Sequence, residues 1–217
     1  NSAAKSGIPI QRTSLLDIIN NKSSQNLLGT IGKSTNTTRS SATDILRKNN
    51  YAKLEELSEK LDQSAEELVG TDKDSIYDKA KESGDTTDIL SDAKKMVEAY
   101  NATMKQLKTT GGTMNEFYLK QLKDIPAGSK EALESIGITQ SKDGSLSVDE
   151  RVFQNADADT LQKVLGGEKG FASKISFLGE HISKNASENV VSASNRYGSN
   201  GATYMEAFEA NKYNFFG

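Results

Sequence analysis

The apolar residues of the chain recur at spacings of three and four over most of its length, which predicts helices. Three stripes are long enough for major helices, over about 43–69, 86–110 and 170–191. Each stripe is narrow, as in helices that pack against other helices. The sequence therefore predicts an all-α fold, an elongated antiparallel helical bundle with coiled-coil-like helices. The positions that define the stripes are Leu54, Leu57, Leu61 and Leu68; Ile89, Ala93, Met96 or Val97, Tyr100, Met104 and Leu107; and Phe171, Ile175, Leu178, Ile182, Ala186 and Val190.

Shorter helical patterns lie between the long ones. Thr113 with Glu116, and Ser147 with Glu150, have the spacing of a capping box, so each pair is expected to open a helix. Pro126 is expected to close the first of these helices. The apolar positions expected on the short helices are Ile76, Ala80, Phe117, Leu122, Leu161, Val164 and Leu165.

The segment IGITQSKDGSLSVDE, residues 136–150, alternates apolar and polar residues around an Asp-Gly pair. If Gly144 were the sixth position of an EF-hand loop, hydroxyl side chains would occupy the first and third positions, where oxygen ligands are normally carboxylates or amides. Only Asp143 and Glu150 would be in register. Because Asp-Gly is also a common turn signature, we expect a small β-hairpin at 137–147 and no calcium site.

Composition narrows the possible functions. The chain has 217 residues, a net charge of −3, no cysteine and a single histidine, and its charges of both signs are interspersed. That distribution gives no basic surface for nucleic acid, and no apolar run is long enough to insert into a membrane. Without cysteine, thiolate sites cannot be built, and the single histidine, His181, makes a histidine-rich metal site or a conventional Ser-His-Asp triad hard to build. We expect no catalytic, cofactor-binding or metal-binding residues and no small-molecule substrate, so the predicted protein is not an enzyme.

Two features that could suggest chemistry are assigned none. His181 lies beside the apolar face of the last predicted helix and has no second histidine or cysteine as a metal partner. The glycine pairs at 111–112 and 166–167 follow no predicted strand and lack the Lys-Ser/Thr of a phosphate-binding loop. They are interpreted as helix stops.

The pattern divides the chain into three segments. Residues 1–42 form a polar N-terminal arm, 43–195 the helical bundle domain, and 196–217 an aromatic C-terminal tail. The tail could complete the domain's own core or dock onto a partner, and the sequence leaves both possibilities open.

Three segments resemble the C-terminal region of bacterial flagellar filament-capping proteins, the hook-associated protein 2 family. Gly137-Ile138, Asp143-Gly144, Leu146 and Asp149 resemble that family's "GI, DG, L, D" signature. Val97-Glu98-Ala99-Tyr100-Asn101 resembles its helical "V, YN" segment, which likewise lies upstream. Gly170-Phe171-Ala172, before a long amphipathic helix, falls where the family has a similar glycine and helix. The matches cover about residues 86–190.

The resemblance implies a structural protein of the bacterial flagellum that is exported without a cleaved signal peptide. Its expected partners are further copies of itself, flagellin-like subunits or hook-associated proteins, through helix-mediated association. The alternative is a helical partner-binding module that stays in the cytoplasm, such as an export chaperone or adaptor.

Overall fold

The computed structural model describes residues 35–71 and 74–195. Contacts within the chain divide it into two units, residues 1–43 and 44–217. Of the first unit only residues 35–43, which belong to a helix, are described. The predicted arm lies mostly outside the described residues, and the aromatic tail lies wholly outside them. The elements found are α1 Thr35–Glu66, α2 Ile76–Ser83, α3 Thr87–Thr110, α4 Thr113–Ala127, α5 Lys130–Ser135, β1 Ile138–Gln140, β2 Leu146–Val148, α6 Glu150–Asn155, α7 Ala158–Leu165 and α8 Phe171–Asn195.

The three predicted long helices are confirmed as α1, α3 and α8. Helix α1 runs antiparallel to α3, because Thr103 Oγ1 donates to the carbonyl of Leu57 at 3.0 Å while Gln106 Nε2 donates to that of Asn50 at 3.1 Å. Helix α8 crosses α1 where Ser176 Oγ donates to Asp62 Oδ1 at 2.6 Å. The all-α bundle with a small hairpin is therefore correct. None of the described helices is apolar over a stretch long enough to cross a membrane.

The buried face of α1 differs from the predicted stripe at one position. Leu54, Leu61 and Leu68 are fully buried, but Leu57 is half-exposed and Ser58 occupies the core instead. The Ser58 hydroxyl donates to the carbonyl of Leu54 at 2.6 Å, so this polar group is satisfied within its own helix and can be buried at little cost. The predicted stripes of α3 and α8 are buried as expected, with Val190 only partly so.

Both predicted capping boxes are wrong. Thr113 is already the first residue of α4, whose N-cap is Gly112, and no side chain caps that end. Ser147 lies in β2, and Asp149 caps α6 by accepting from the backbone N–H groups of Arg151 and Val152. Pro126 does lie in the last turn of α4, as predicted.

Phe117 lies on α4 as expected, and its side chain is exposed. The neighbouring Tyr118 is buried instead and contacts the Phe117 ring at 5.9 Å between centroids. The aromatic pair therefore places one ring in the core and one at the surface.

Tyr77, which the sequence analysis did not identify, packs at the end of the bundle formed by α2 and α7. Tyr77 is fully buried, and its hydroxyl donates to the carbonyl of Leu68 at 2.6 Å. A Cβ at Gly70 would lie 2.7 Å from this ring, and one at Gly166 would lie 3.0 Å from it. These two glycines therefore allow the ring to pack directly against backbone.

Candidate functional site: the junction of helix α3 with the hairpin

The predicted hairpin is confirmed, with β1 and β2 antiparallel and Gln140 opposite Leu146. The chain turns through Gly144, whose φ of 95° favours glycine and whose N–H donates to the Ser141 carbonyl at 2.9 Å. Asp143 Oδ1 accepts from the N–H of Ser145 at 3.0 Å and from its hydroxyl at 2.7 Å. These bonds lower the pKa of the exposed Asp143 carboxyl, which thus acts as a turn residue.

Asn101 of α3 holds the outer edge of this hairpin. Ser141 bonds to Ser145 and Asp149 to Gly137 across the ladder, so in antiparallel alternation the N–H and C=O of Leu146 point away from β1. Asn101 Nδ2 donates to the Leu146 carbonyl at 2.8 Å, and Asn101 Oδ1 accepts from the Leu146 N–H at 2.9 Å. One side-chain amide thus replaces a neighbouring strand at this position.

Tyr100, the preceding residue, anchors the turn. It is fully buried, and its hydroxyl lies 2.8 Å from the carbonyl of Leu122 in α4 and 3.1 Å from that of Gly144. Burial raises the pKa of Tyr100, so the hydroxyl keeps its proton and remains a donor to these carbonyls. The ring therefore ties together α3, α4 and the hairpin.

The oxygen atoms considered for calcium make other contacts. Thr139 Oγ1 and Ser147 Oγ lie 2.9 Å apart across the ladder. Glu150 Oε1 accepts from Lys94 Nζ of α3 at 2.6 Å, which fastens the start of α6 to the same helix. No group of metal-binding side chains occurs in the parts of the chain that the structure covers. The segment 136–150 is thus built as a turn that is bound to α3.

The remaining candidates lie apart from this junction. His181 is half-buried on α8, where its ring meets that of Phe177 edge-on with centroids 4.3 Å apart. Gly111 and Gly112 join α3 to α4, and the N–H of Gly167 donates to the carbonyl of Val69 at 2.7 Å. The structure brings none of these residues to the hairpin.

A shallow groove runs along the outside of the α1–α3 pair. Its floor contains Leu57, Ala99 and Ala102, each half-exposed, and charged residues of both signs line its sides. Lys60 and Lys95 are among them, together with Glu67 and Glu98. The groove offers a narrow apolar strip between charges, a surface suited to a further helix.

Comparisons of the chain with protein-family models, curated proteins and solved structures found no match. Function is therefore inferred from the residues and contacts described above. Sequence reasoning singled out the segment containing Tyr100 and Asn101 and, separately, the hairpin. It did not predict that they bind each other, because no local pattern links positions so far apart in the chain.

Proposed function

We propose that this chain is a non-enzymatic structural component of bacterial flagellar assembly, related to the filament cap, and that it acts through helix-mediated association. The observation that carries the proposal is the junction of α3 with the hairpin. Its residues are the same ones that resemble the filament-cap family.

Two of the three segments of the resemblance contact each other. Asn101 pairs with both backbone groups of Leu146, and Tyr100 reaches the carbonyl of Gly144. Val97, at the start of the helical segment, is buried in the same core. Two short motifs are stronger evidence of a relationship to a family when their residues contact each other. The contact gives a structural reason for both motifs to be present in one chain.

The mode of association follows from which surfaces are already used. The narrow apolar seams of α1 and α3 are buried in the core of the bundle itself. They cannot serve a partner without unfolding. The groove over Leu57, Ala99 and Ala102 remains open, and its small alanines allow a helix backbone to approach closely. We assign helix-mediated association to this groove.

The proposal is tested by recovering the tagged protein, after chemical crosslinking, from the cells that make it. We expect further copies of the chain, flagellin-like subunits or hook-associated proteins to be recovered with it. Ala102→Glu, which places a charge on the floor of the groove, should abolish this recovery. Phe177→Glu is the matched control, because Phe177 is exposed on α8 away from the groove.

Circular dichroism of both variants checks that they fold. Recovery of only cytoplasmic, non-flagellar partners would contradict the proposal and favour the chaperone or adaptor. Equal recovery with Ala102→Glu and Phe177→Glu would show that the groove is not the surface used.

A further inference from the structure

Exposed apolar side chains are concentrated at one end of the bundle. Among the described residues, seven large hydrophobic side chains are exposed, and five of them belong to this end. Val152 and Phe177 are the other two. We call the five the apolar end: Ile45 (54% exposed), Leu46 (61%), Met114 (42%), Phe117 (36%) and Val191 (54%).

The placement of α1 and α8 follows from their crossing. Ser176 of α8 bonds to Asp62 of α1, and Gly179, further along α8, lies against the backbone of Ser58, which comes earlier in α1, so the two helices run in opposite directions. At about 1.5 Å per residue, Asp62 to Ile45 covers about 25 Å of α1, and Ser176 to Val191 covers about 22 Å of α8. Ile45 and Val191 therefore lie at nearly the same level.

Helix α4 begins at that level too. Gln106 of α3 bonds to Asn50 of α1, so the last turn of α3 lies beside Leu46. Met114 and Phe117 lie in the first two turns of α4, which follows α3 directly in the chain. The neighbouring Tyr118 lies near Glu188 of α8. Burial raises the pKa of Tyr118, and the Glu188 carboxylate raises it further.

We propose that the C-terminal segment, residues 196–217, binds the apolar end of its own bundle. Helix α8 delivers the segment to this end, because Asn195 lies one turn beyond Val191. Aromatic side chains bury large apolar areas, and covalent attachment gives the segment a high effective concentration at a surface so close to its origin. The aromatic residues of the segment are Tyr197, Tyr204, Phe208, Tyr213, Phe215 and Phe216.

The absence of cysteine from the whole sequence allows a direct test by disulfide trapping in the full chain. One variant carries Thr113→Cys, at the apolar end, with Gly217→Cys in the segment. The control carries Lys174→Cys, exposed near the far end of α8, with the same Gly217→Cys. Residues 196–217 can extend at most about 75 Å, and Lys174 is about 32 Å along α8 from Asn195, so the segment can reach both positions.

Under mild oxidation at low micromolar concentration, we expect the intrachain disulfide to Thr113→Cys to form about tenfold faster than the one to Lys174→Cys. Adding Phe215→Ser and Phe216→Ser should slow the disulfide to Thr113→Cys severalfold and leave the rate to Lys174→Cys unchanged; an unchanged rate to Thr113→Cys would contradict the proposal, since proximity alone would then explain it. Equal rates in the two cysteine pairs would overturn the proposal. So would disulfides formed only between chains, since the segment would then bind a second copy. The test does not depend on the flagellar proposal, because neither outcome requires a flagellar partner.

Discussion

Replacing Asn101 by alanine tests whether α3 holds the hairpin. The substitution removes the amide that donates to the Leu146 carbonyl at 2.8 Å and accepts from its N–H at 2.9 Å. Leu146 is only 5% exposed, so water cannot freely replace either partner. The variant is left with two backbone groups that have lost their hydrogen bonds.

The expected cost follows from those two groups. A buried backbone donor or acceptor without a partner costs about 1–3 kcal/mol. Asn101 itself is half-buried, and its truncation admits some water to the edge of the hairpin, which places the sum near the lower half of the range. We expect Asn101→Ala to lower the free energy of unfolding by about 2–4 kcal/mol.

Urea unfolding followed by circular dichroism measures this loss. With a slope of about 2 kcal/mol per molar urea, the midpoint should fall by about 1–2 M. Asn155→Ala is the control, because Asn155 is exposed at the end of α6. Its effect should stay within about 0.5 kcal/mol. A loss of less than about 0.5 kcal/mol in Asn101→Ala would refute the role assigned to the amide pair.

Four further substitutions test the packing and the turn. Leu178→Asp should unfold the domain because it buries a charge, whereas Leu57→Asp should lower the free energy of unfolding by less than about 2 kcal/mol because Leu57 is half-exposed. Equal effects of the two variants on the thermal midpoint would contradict the assigned burial. Gly144→Val should lower the free energy of unfolding by about 1–3 kcal/mol, because φ at this position is 95°. Millimolar calcium should leave the melting temperature of the wild type unchanged, and a rise of several degrees would contradict the turn interpretation. Gly179→Ala should destabilise, although alanine favours helix by about 1 kcal/mol, because its Cβ would lie 2.9 Å from the Asp62 backbone nitrogen; a higher urea midpoint would show that α1 and α8 separate at little cost.

The helices could be predicted because burial on a helix follows its period, and this held for nearly all the stripes of α3 and α8. It failed on α1, where Leu57 was assigned to the core. Successive residues turn by about 100°, so with Leu54 at 0° Leu61 lies at about −20°, Ser58 at about +40° and Leu57 at about −60°. The buried face also includes Tyr51 and Ala65, at about +60° and about +20°, so its centre lies nearer Ser58 than Leu57. Hydrophobicity alone gives no reason to bury Ser58, and its bond to the Leu54 carbonyl exists only once the helix has formed.

The residues that cap the helix N-termini could not be predicted correctly from the sequence either. A capping box is a pattern of residue types, and Thr113 and Ser147 both fit it, yet neither is an N-cap. Asp149 takes that role for α6 because strand pairing continues through Val148 and leaves the next residue at the start of the helix. Which hydroxyl or carboxylate caps a helix thus depends on where the preceding strand ends.

The junction of α3 with the hairpin was visible in the sequence only as two separate segments. The turn followed from Asp143 and Gly144, since local chemistry decides it. The bonds of Tyr100 and Asn101 to the hairpin depend on how α3 and α4 pack, and that packing is set by contacts spread over the whole bundle. The structure therefore adds the pairing on which the functional proposal depends.

The most direct test of the flagellar proposal is the location of the native protein in the cells that make it. Cell pellets, culture medium and sheared filaments are compared by immunoblot between a strain with a working flagellar export apparatus and one in which it is disabled. A cytoplasmic marker protein controls for lysis. The account predicts that the protein is found in the medium or with the filaments in the first strain and only in the pellet in the second. Retention in the pellet of both strains would contradict it.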